Sequence, residues 1–592
     1  MTRPGEAAFQ VLHYWASRAV GRLTDERTSA EWRPNAQLRT IFSLVKPDVE
    51  PTYVRQAELR VDDERVFPQL QADTTGYAAR KAALEQALDT QGLSEQVALT
   101  HLLDALERET WCLSSPLPHI SLYDFARVQA ALAAAKISGG DLLLVGGDVS
   151  GVQDFIYDVQ PQRAAKQLRG RSLYLQLLSE AIARYVIDQA DMPEVCLLYN
   201  GGGRFYAVVP KAVEAQLKTA RRHVAHVLLV RHGIAPYLAL GWQSLEGDYA
   251  KLWKNLQDTV GDQKQRKFAE LNADAMQALL FNPREAPQFN RPEVLEAGEN
   301  DELKQDAFED SINTLSRNLA NAQLLAERSW NEKEPLPTVR TAMLWHNVLG
   351  EFGHKIWPAA DNTEIHQHGC AERLRAMRDL TEPERKAARV ALGEHGSLGQ
   401  RYTVNEVAKV LSGDTDGFVP DQSDIDEDGI ATRDSLANDL PKGMPKVGDP
   451  MPFSLMAHLS TGIKRWGVLR MDIDDLGQLF GRTRVGEPSL ADLAETAALS
   501  AALSRFFEGR VGAICREVNK ERKHGGALYT VYSGGDDLFI VGSWYLLPGL
   551  AARIRREFAH YVTGVNSMKS PITLSGTLSI IARSGRGEGS DA

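Results

Sequence analysis

The chain has 592 residues, 43% hydrophobic and 24% charged, with a net charge of −11, a length that implies several domains each burying its own core. No apolar run approaches the ~18–20 residues that span a bilayer, the N-terminus lacks a signal-peptide pattern, and the acidic balance excludes a protein that grips nucleic acid over its whole surface. Cys112, Cys196, Cys370 and Cys515 stand far apart, which excludes a disulfide framework and a Cys-x-x-Cys metal knuckle and fits a reducing cytoplasm with no membrane contact.

In chain order, residues 1–139 read as a helical domain. Apolar residues recur at helical spacing over Glu85–Leu106 and again over Tyr123–Ala135. Residues 140–245 change period. Leu142-Leu-Leu-Val-Gly-Gly-Asp148 reads as a buried strand, and a long helix is expected from Leu168 through Ala190. Strands Val195–Tyr199 and Phe205–Val209 then flank a Gly201-Gly-Gly-Arg204 turn, followed by a helix over Ala215–Val230. The order β-α-β-β-α-β is that of a ferredoxin-like unit.

Residues 246–455 are expected to be mainly helical, with helical periodicity over Ala307–Trp330 and Leu344–Trp357. An acidic loop spans 414–434. Asp424, Asp426 and Asp428 followed by Gly429 resemble the front half of a calcium loop, but Ser435 stands where a bidentate Glu would close it. The reading favoured for this loop is a solvated acidic insertion.

Residues 456–585 repeat the ferredoxin-like order, and 586–592 form a small polar tail. A strand Val468–Met471 leads into Asp472-Ile-Asp-Asp475, and a long helix is expected over Glu487–Asn519. Two β-rich runs then flank Ser533-Gly-Gly-Asp-Asp537, a hairpin signal. A helix over Leu546–Val562 and a strand over Ile572–Ile581 complete the unit. Adjacent carboxylates on a turn repel one another unless a cation neutralises them, and hard divalent ions prefer such oxygens. If the strand ends lie side by side, Asp472, Asp536 and Asp537 converge on metal. Gly534 and Gly535 leave bare backbone that a triphosphate can approach. The internal repeat points to two such units packed as a pseudo-dimer.

The Gly-Gly-Asp-Asp hairpin with its upstream Asp-x-Asp strand resembles the palm of the large subunit of type III CRISPR effector complexes, the cyclic-oligoadenylate synthetase subunit. That palm is related to GGDEF diguanylate cyclases. Gly147-Asp-Val-Ser-Gly-Val-Gln-Asp-Phe-Ile-Tyr157 with Leu168-Arg-Gly-Arg-Ser172 resembles the first palm of the same family, and Leu38–Val45 and Ile120–Phe125 resemble its first domain. The resemblance implies an α+β multidomain fold: two ferredoxin-like palms, a helical first domain and a helical inter-palm region. That first domain is often an HD nuclease. This sequence has no His-Asp dipeptide and carries Phe125 where the family often has His, so no HD nuclease is expected. The family's inter-palm zinc cysteines have no counterpart in Phe281–Leu303, so no zinc is expected. The family's C-terminal helical domain is not expected in this sequence, either because the gene is split or truncated or because a separate chain supplies that part.

The resemblance further implies two ATP substrates face to face across the palms, with two divalent ions, Mg or Mn, held by Asp472, the Ile473 carbonyl, Asp536 and Asp537. Ser533, Gly534 and Gly535, and in the first palm Ser150, Arg169, Arg171, Gly202, Gly203 and Arg204, are the expected nucleotide contacts. Asp474 and Asp475 would either help a metal or cap the turn. The implied partners are the backbone, small and crRNA 5′-end-binding subunits, with crRNA and target RNA reached through the complex. The alternatives are a catalytically idle scaffold subunit and a diguanylate-cyclase-like enzyme, although the latter expects Glu-Phe where this chain has Asp537-Leu-Phe539.

Overall fold

A computed structural model describes residues 3–23, 32–44, 51–137, 139–157, 164–271, 276–277, 307–330, 345–366, 370–393, 396–403, 406–418, 444–474, 476, 489–522, 526–535, 537–564 and 572–581. Phe281–Leu303, Asp424–Ser435, Asp475, Asp536 and the tail lie outside the described residues.

The first domain is helical, as its periodicity predicts, but the break between helices falls differently. Tyr77–Ala87 and Glu95–Thr110 are separate helices, because Gly92 takes a left-handed φ of 82° and Ser94 caps the second one through the Val97 N–H. Leu122–Lys136 starts at Ser121, whose hydroxyl accepts from the Asp124 N–H at 3.0 Å. Phe125 packs edge-on against Trp15, ring centroids 5.0 Å apart, and Trp15 against Trp32 at 5.4 Å. Phe125 is therefore part of an aromatic cluster within the first domain.

The first palm has strands β1 (Leu142–Ser150), β2 (Leu197–Gly201), β3 (Arg204–Pro210) and β4 (Tyr237–Ser244), in the sheet order β2-β3-β1-β4. Helices Ala164–Asp188 and Glu214–His232 supply the two crossovers. A further helix, Tyr249–Gln265, packs back on β4 and β1, with the Leu256 side chain directly over Gly146. The unit therefore runs past its expected end at residue 245.

The inter-palm region departs most from expectation. It holds a four-stranded sheet of β5 (Leu324–Ser329), β6 (His354–Ala359), β7 (Arg373–Ala376) and β8 (Ser397–Gln400), in the order β6-β5-β7-β8. The helical reading of Ala307–Trp330 holds only for Ala307–Leu319, and that of Leu344–Trp357 only for Trp345–Gly350. Short apolar runs such as Leu324-Leu-Ala326 suit either period, and tertiary pairing decided the matter. A buried ionic network fastens this sheet to its neighbours. Arg373 binds Asp104 of the first domain and Glu194 of the first palm, and Arg375 binds Glu180 on the helix Ala164–Asp188.

The second palm repeats the topology with β9 (Trp466–Ile473), β10 (Leu528–Gly534), β11 (Asp537–Ser543) and β12 (Leu574–Ile581), ordered β10-β11-β9-β12. Both hairpins carry a register shift at the same place, Leu197/Tyr199 in one and Thr530/Tyr532 in the other. The expected long helix is interrupted: Leu490–Ser504 passes into a π turn, Arg505–Arg510, and continues as Val511–Glu521. The long helix of each palm packs against the hairpin of the other, Ala164–Asp188 on β10 and Leu490–Ser504 on β2.

Candidate active site

Cross-strand pairing places the acids. Asp537, the first residue of β11, lies directly opposite Asp472 near the end of β9. Side chains on directly opposed positions share one face of a sheet, and like charges there destabilise it. A hard divalent cation relieves that repulsion, so this pair suits one. Ile473 is next along β9 and buried. Asp474 turns aside: its carboxylate accepts from the Thr573 hydroxyl and its N–H donates to the Thr573 carbonyl at 3.0 Å, which ties the end of β9 to the segment entering β12. Among the described residues no group of three or more His, Cys, Asp or Glu converges; Asp536, the remaining expected ligand, is not among them.

The first palm shows the same register with different chemistry. Asp148 of β1 lies opposite Arg204 of β3, as Asp472 lies opposite Asp537. Arg204 Nε donates to Asp148 Oδ2 at 3.0 Å, and Lys264 Nζ reaches the same oxygen at 2.7 Å. The upstream acid is therefore retained, while the hairpin tip carries glycines and Arg204 in place of acids. Two side-chain cations neutralise it, where the second palm sets a second carboxylate, Asp537, opposite Asp472. Asp148 could have been found in the sequence as the acid ending the first strand of the repeat.

The two hairpin tips meet. Gly202 and Gly535 have φ of 60° and 67°. A Cβ on Gly202 would stand 3.0 Å from the Gly535 Cα, and one on Gly535 would stand 3.2 Å from the Gly202 Cα. Only glycine permits both the left-handed backbone and this approach. Gly203, at φ 80°, accepts at its carbonyl from the Val149 N–H at 2.8 Å, closing the first tip.

Several expected nucleotide contacts lie elsewhere. Arg169 is 2% exposed and donates to the Ser316 hydroxyl at 3.0 Å and its carbonyl at 2.6 Å. Arg171, also 2% exposed, donates to the Phe155 carbonyl at 2.7 Å and forms an ion pair with Glu309. Both arginines are internal ties between the first palm and the inter-palm helix, in place of the phosphate donors expected from the sequence. Ser533 is buried and donates to the Phe507 carbonyl at 2.6 Å, and Ser150 donates to the Tyr237 carbonyl at 3.3 Å. The sequence could not show that the polar groups of these residues are satisfied from within. Glu508, which the sequence reading passed over, lies beside both tips; burial pushes its carboxyl up, against the pull of Arg401.

Residues 141–282 match the Csm1 subunit domain B, and residues 465–585 match the second palm domain of Cas10/Cmr2. A curated relative from Methanocaldococcus jannaschii, named as the single-strand-specific deoxyribonuclease Cas10/Csm1 of a subtype III-A CRISPR system, is 24% identical over 549 residues, covering 79% of this chain and 63% of its own length. One of the same name from Streptococcus thermophilus is 24% identical, over 73% of this chain and 49% of its own length. The chain thus spans about half to two thirds of these relatives. Among solved structures, a Csm1–Csm4 cassette in complex with one ATP superposes with a TM-score of 0.64 at 20% identity, covering 96% of this chain and 68% of that one. The same cassette in complex with cA3 gives equal values. No helix among the described residues is long and apolar enough to cross a membrane.

Proposed function

From its two matched domains the chain is a relative of the large, palm-bearing Cas10/Csm1 subunit of type III CRISPR systems, and we propose on that premise that it makes cyclic oligoadenylate from ATP when its complex binds target RNA. The observation that carries the proposal is the opposition of Asp472 and Asp537 across β9 and β11, at a tip that meets its pseudo-symmetric partner at Gly202. Asp472, Asp536, Asp537 and the Ile473 carbonyl would hold two Mg or Mn ions. When bound, such ions activate a 3′-hydroxyl and neutralise charge on the attacked phosphate and the leaving pyrophosphate.

The chain's own residues supply the platform. Gly534 and Gly535 let phosphate oxygens approach backbone, and Gly202 and Gly203 do the same for the facing nucleotide. Arg204, with a side chain 46% exposed, would be the cation that meets the phosphates of that second nucleotide. The ATP and cA3 complexes of the structurally similar cassettes support a nucleotide-handling palm pair. We also propose that the chain runs no HD nuclease step, although its curated relatives are named as single-strand-specific deoxyribonucleases, because Phe125 stands where the family often has His and packs edge-on against Trp15. The proposed partners are the other subunits of a type III complex, with crRNA and target RNA reached through them.

The test is incubation of the assembled complex with radiolabelled ATP, Mg²⁺ or Mn²⁺ and cognate target RNA, beside a complex carrying Asp536→Ala and Asp537→Ala. Cyclic products that depend on both the acids and the target support the reading. An intact, target-bound complex that binds ATP and makes no product would leave an idle scaffold.

A further inference from the structure

The meeting of the two tips raises a physical question. Gly202 meets Gly534 and Gly535 backbone to backbone, so at this contact neither tip has a side chain with which to interlock. Their relative placement has to be set by a neighbouring group.

That group is supplied by the π turn Arg505–Arg510 in the long helix of the second palm. A π turn accommodates an extra residue and re-aims side chains out of the regular ladder, often at functional positions. Here it carries Glu508, 8% exposed. A Cβ on Gly201 would lie 3.0 Å from Glu508 Oε1, and one on Gly534 would lie 3.5 Å from the same atom. One carboxylate oxygen therefore sits against the first glycine of both tips, and the Gly535 N–H faces it as a donor.

Arg401 completes the arrangement. Its Nη1 donates to the Asn200 carbonyl at 3.0 Å, just before the first tip, and lies 3.7 Å from Glu508 Oε2. Its Nε lies 3.9 Å from Glu180 on the long helix of the first palm. The guanidinium thus joins one carboxylate from each long helix to the strand that leads into the first tip. A buried carboxylate is costly unless it is paired and hydrogen-bonded, so these partners hold the site to a single arrangement.

We propose that Glu508 is a positioning residue that sets the spacing of the two hairpin tips, and through it the approach of the two nucleotides. This rests on the nucleotidyl-transfer reading above. The carboxylate touches no reacting atom. It acts through Gly201, Gly534 and Gly535, with Arg401 as its counter-charge.

The test measures amide hydrogen exchange in the full chain for wild type, Glu508→Gln, Glu508→Ala and Arg401→Gln, followed by ATP binding and turnover in the assembled complex. Expected is faster exchange, by roughly tenfold, in segments 199–204 and 528–535 together in the Ala variant, with the centres of β1 and β9 unchanged. The Gln variant, which keeps an acceptor oxygen for Gly535, is expected to retain most of that protection. In the complex, kcat should fall by roughly tenfold in the Ala variant while the Kd for a single ATP stays within about threefold, because spacing affects the joint geometry and not each half-site. Should the Ala variant fail to fold, Arg401→Gln carries the same expectation. Exchange that rises at one tip only, at neither, or throughout both palms would overturn the proposal. A wild-type complex that makes no product counts against the proposed reaction alone, since exchange requires no turnover.

Discussion

Asp148 and Arg204 are cross-strand partners in the first palm at the register where Asp472 and Asp537 are partners in the second. One palm thus pairs its strand-end acid with an arginine, where the other sets a second carboxylate opposite. The pseudo-dimer is chemically asymmetric for this reason, although its strand orders are identical.

That asymmetry predicts where metal binds. Titration of Mn²⁺ into the chain should give binding that Asp472→Ala abolishes and Asp148→Ala leaves unchanged. Arg204→Asp should add a weaker Mn²⁺-dependent rise in melting temperature, since it recreates an opposed acid pair. Because the Arg204 side chain is 46% exposed, Arg204→Ala should cost less than about 1 kcal/mol of stability.

Gly202 and Gly535 each combine a left-handed φ with a partner backbone inside contact distance. Gly202→Ala or Gly535→Ala adds conformational strain of about 1–2 kcal/mol per site and also forces the tips apart. Thermal unfolding should show only the small loss, while ATP turnover should fall by far more than the stability change explains. Equal losses in both would remove the case for a functional tip contact.

Arg171 separates an internal tie from a ligand contact. Its ion pair with Glu309 and its bond to the Phe155 carbonyl are buried, so Arg171→Ala should cost about 3–5 kcal/mol, the usual penalty for breaking a buried pair from one side. Denaturant unfolding checks the stability, and the Kd for ATP of the folded fraction should be unchanged. A large loss of ATP affinity without a loss of stability would restore the phosphate-donor role.

His232 gives the pH dependence a direction. Its Nε2 lies 2.6 Å from the Tyr174 hydroxyl, and burial, aided by the nearby Arg171 and Arg231 charges, lowers its pKa to about 3. An unfolded histidine takes up its proton near pH 6.5. The unfolded state therefore binds more protons below that pH, and stability falls from about pH 6.5 down to about pH 3, by up to about 1.4 kcal/mol per unit from this group. Melting curves from pH 7.5 to 4.5 should show this slope, and His232→Gln should flatten it.

Much of this protein is written locally. The β-α-β-β-α-β order of both palms follows from apolar runs bounded by glycine-rich turns. The tips at Gly201–Arg204 and Ser533–Asp537 follow from residues that tolerate left-handed backbone, and Asp472 could be named because it ends a strand. These features depend on a few neighbouring residues, so the sequence alone determined them. What a side chain faces is not local. Arg169 and Arg171 look like phosphate ligands until Ser316 and Glu309, more than a hundred positions away, are folded against them. The inter-palm sheet depends on pairing between distant short runs whose period was ambiguous. Glu508 has no motif: an acid on a helix takes on meaning only when a π turn aims it at two hairpins brought together by packing. The tertiary structure decided these points, because burial and charge pairing are properties of the neighbours that folding supplies.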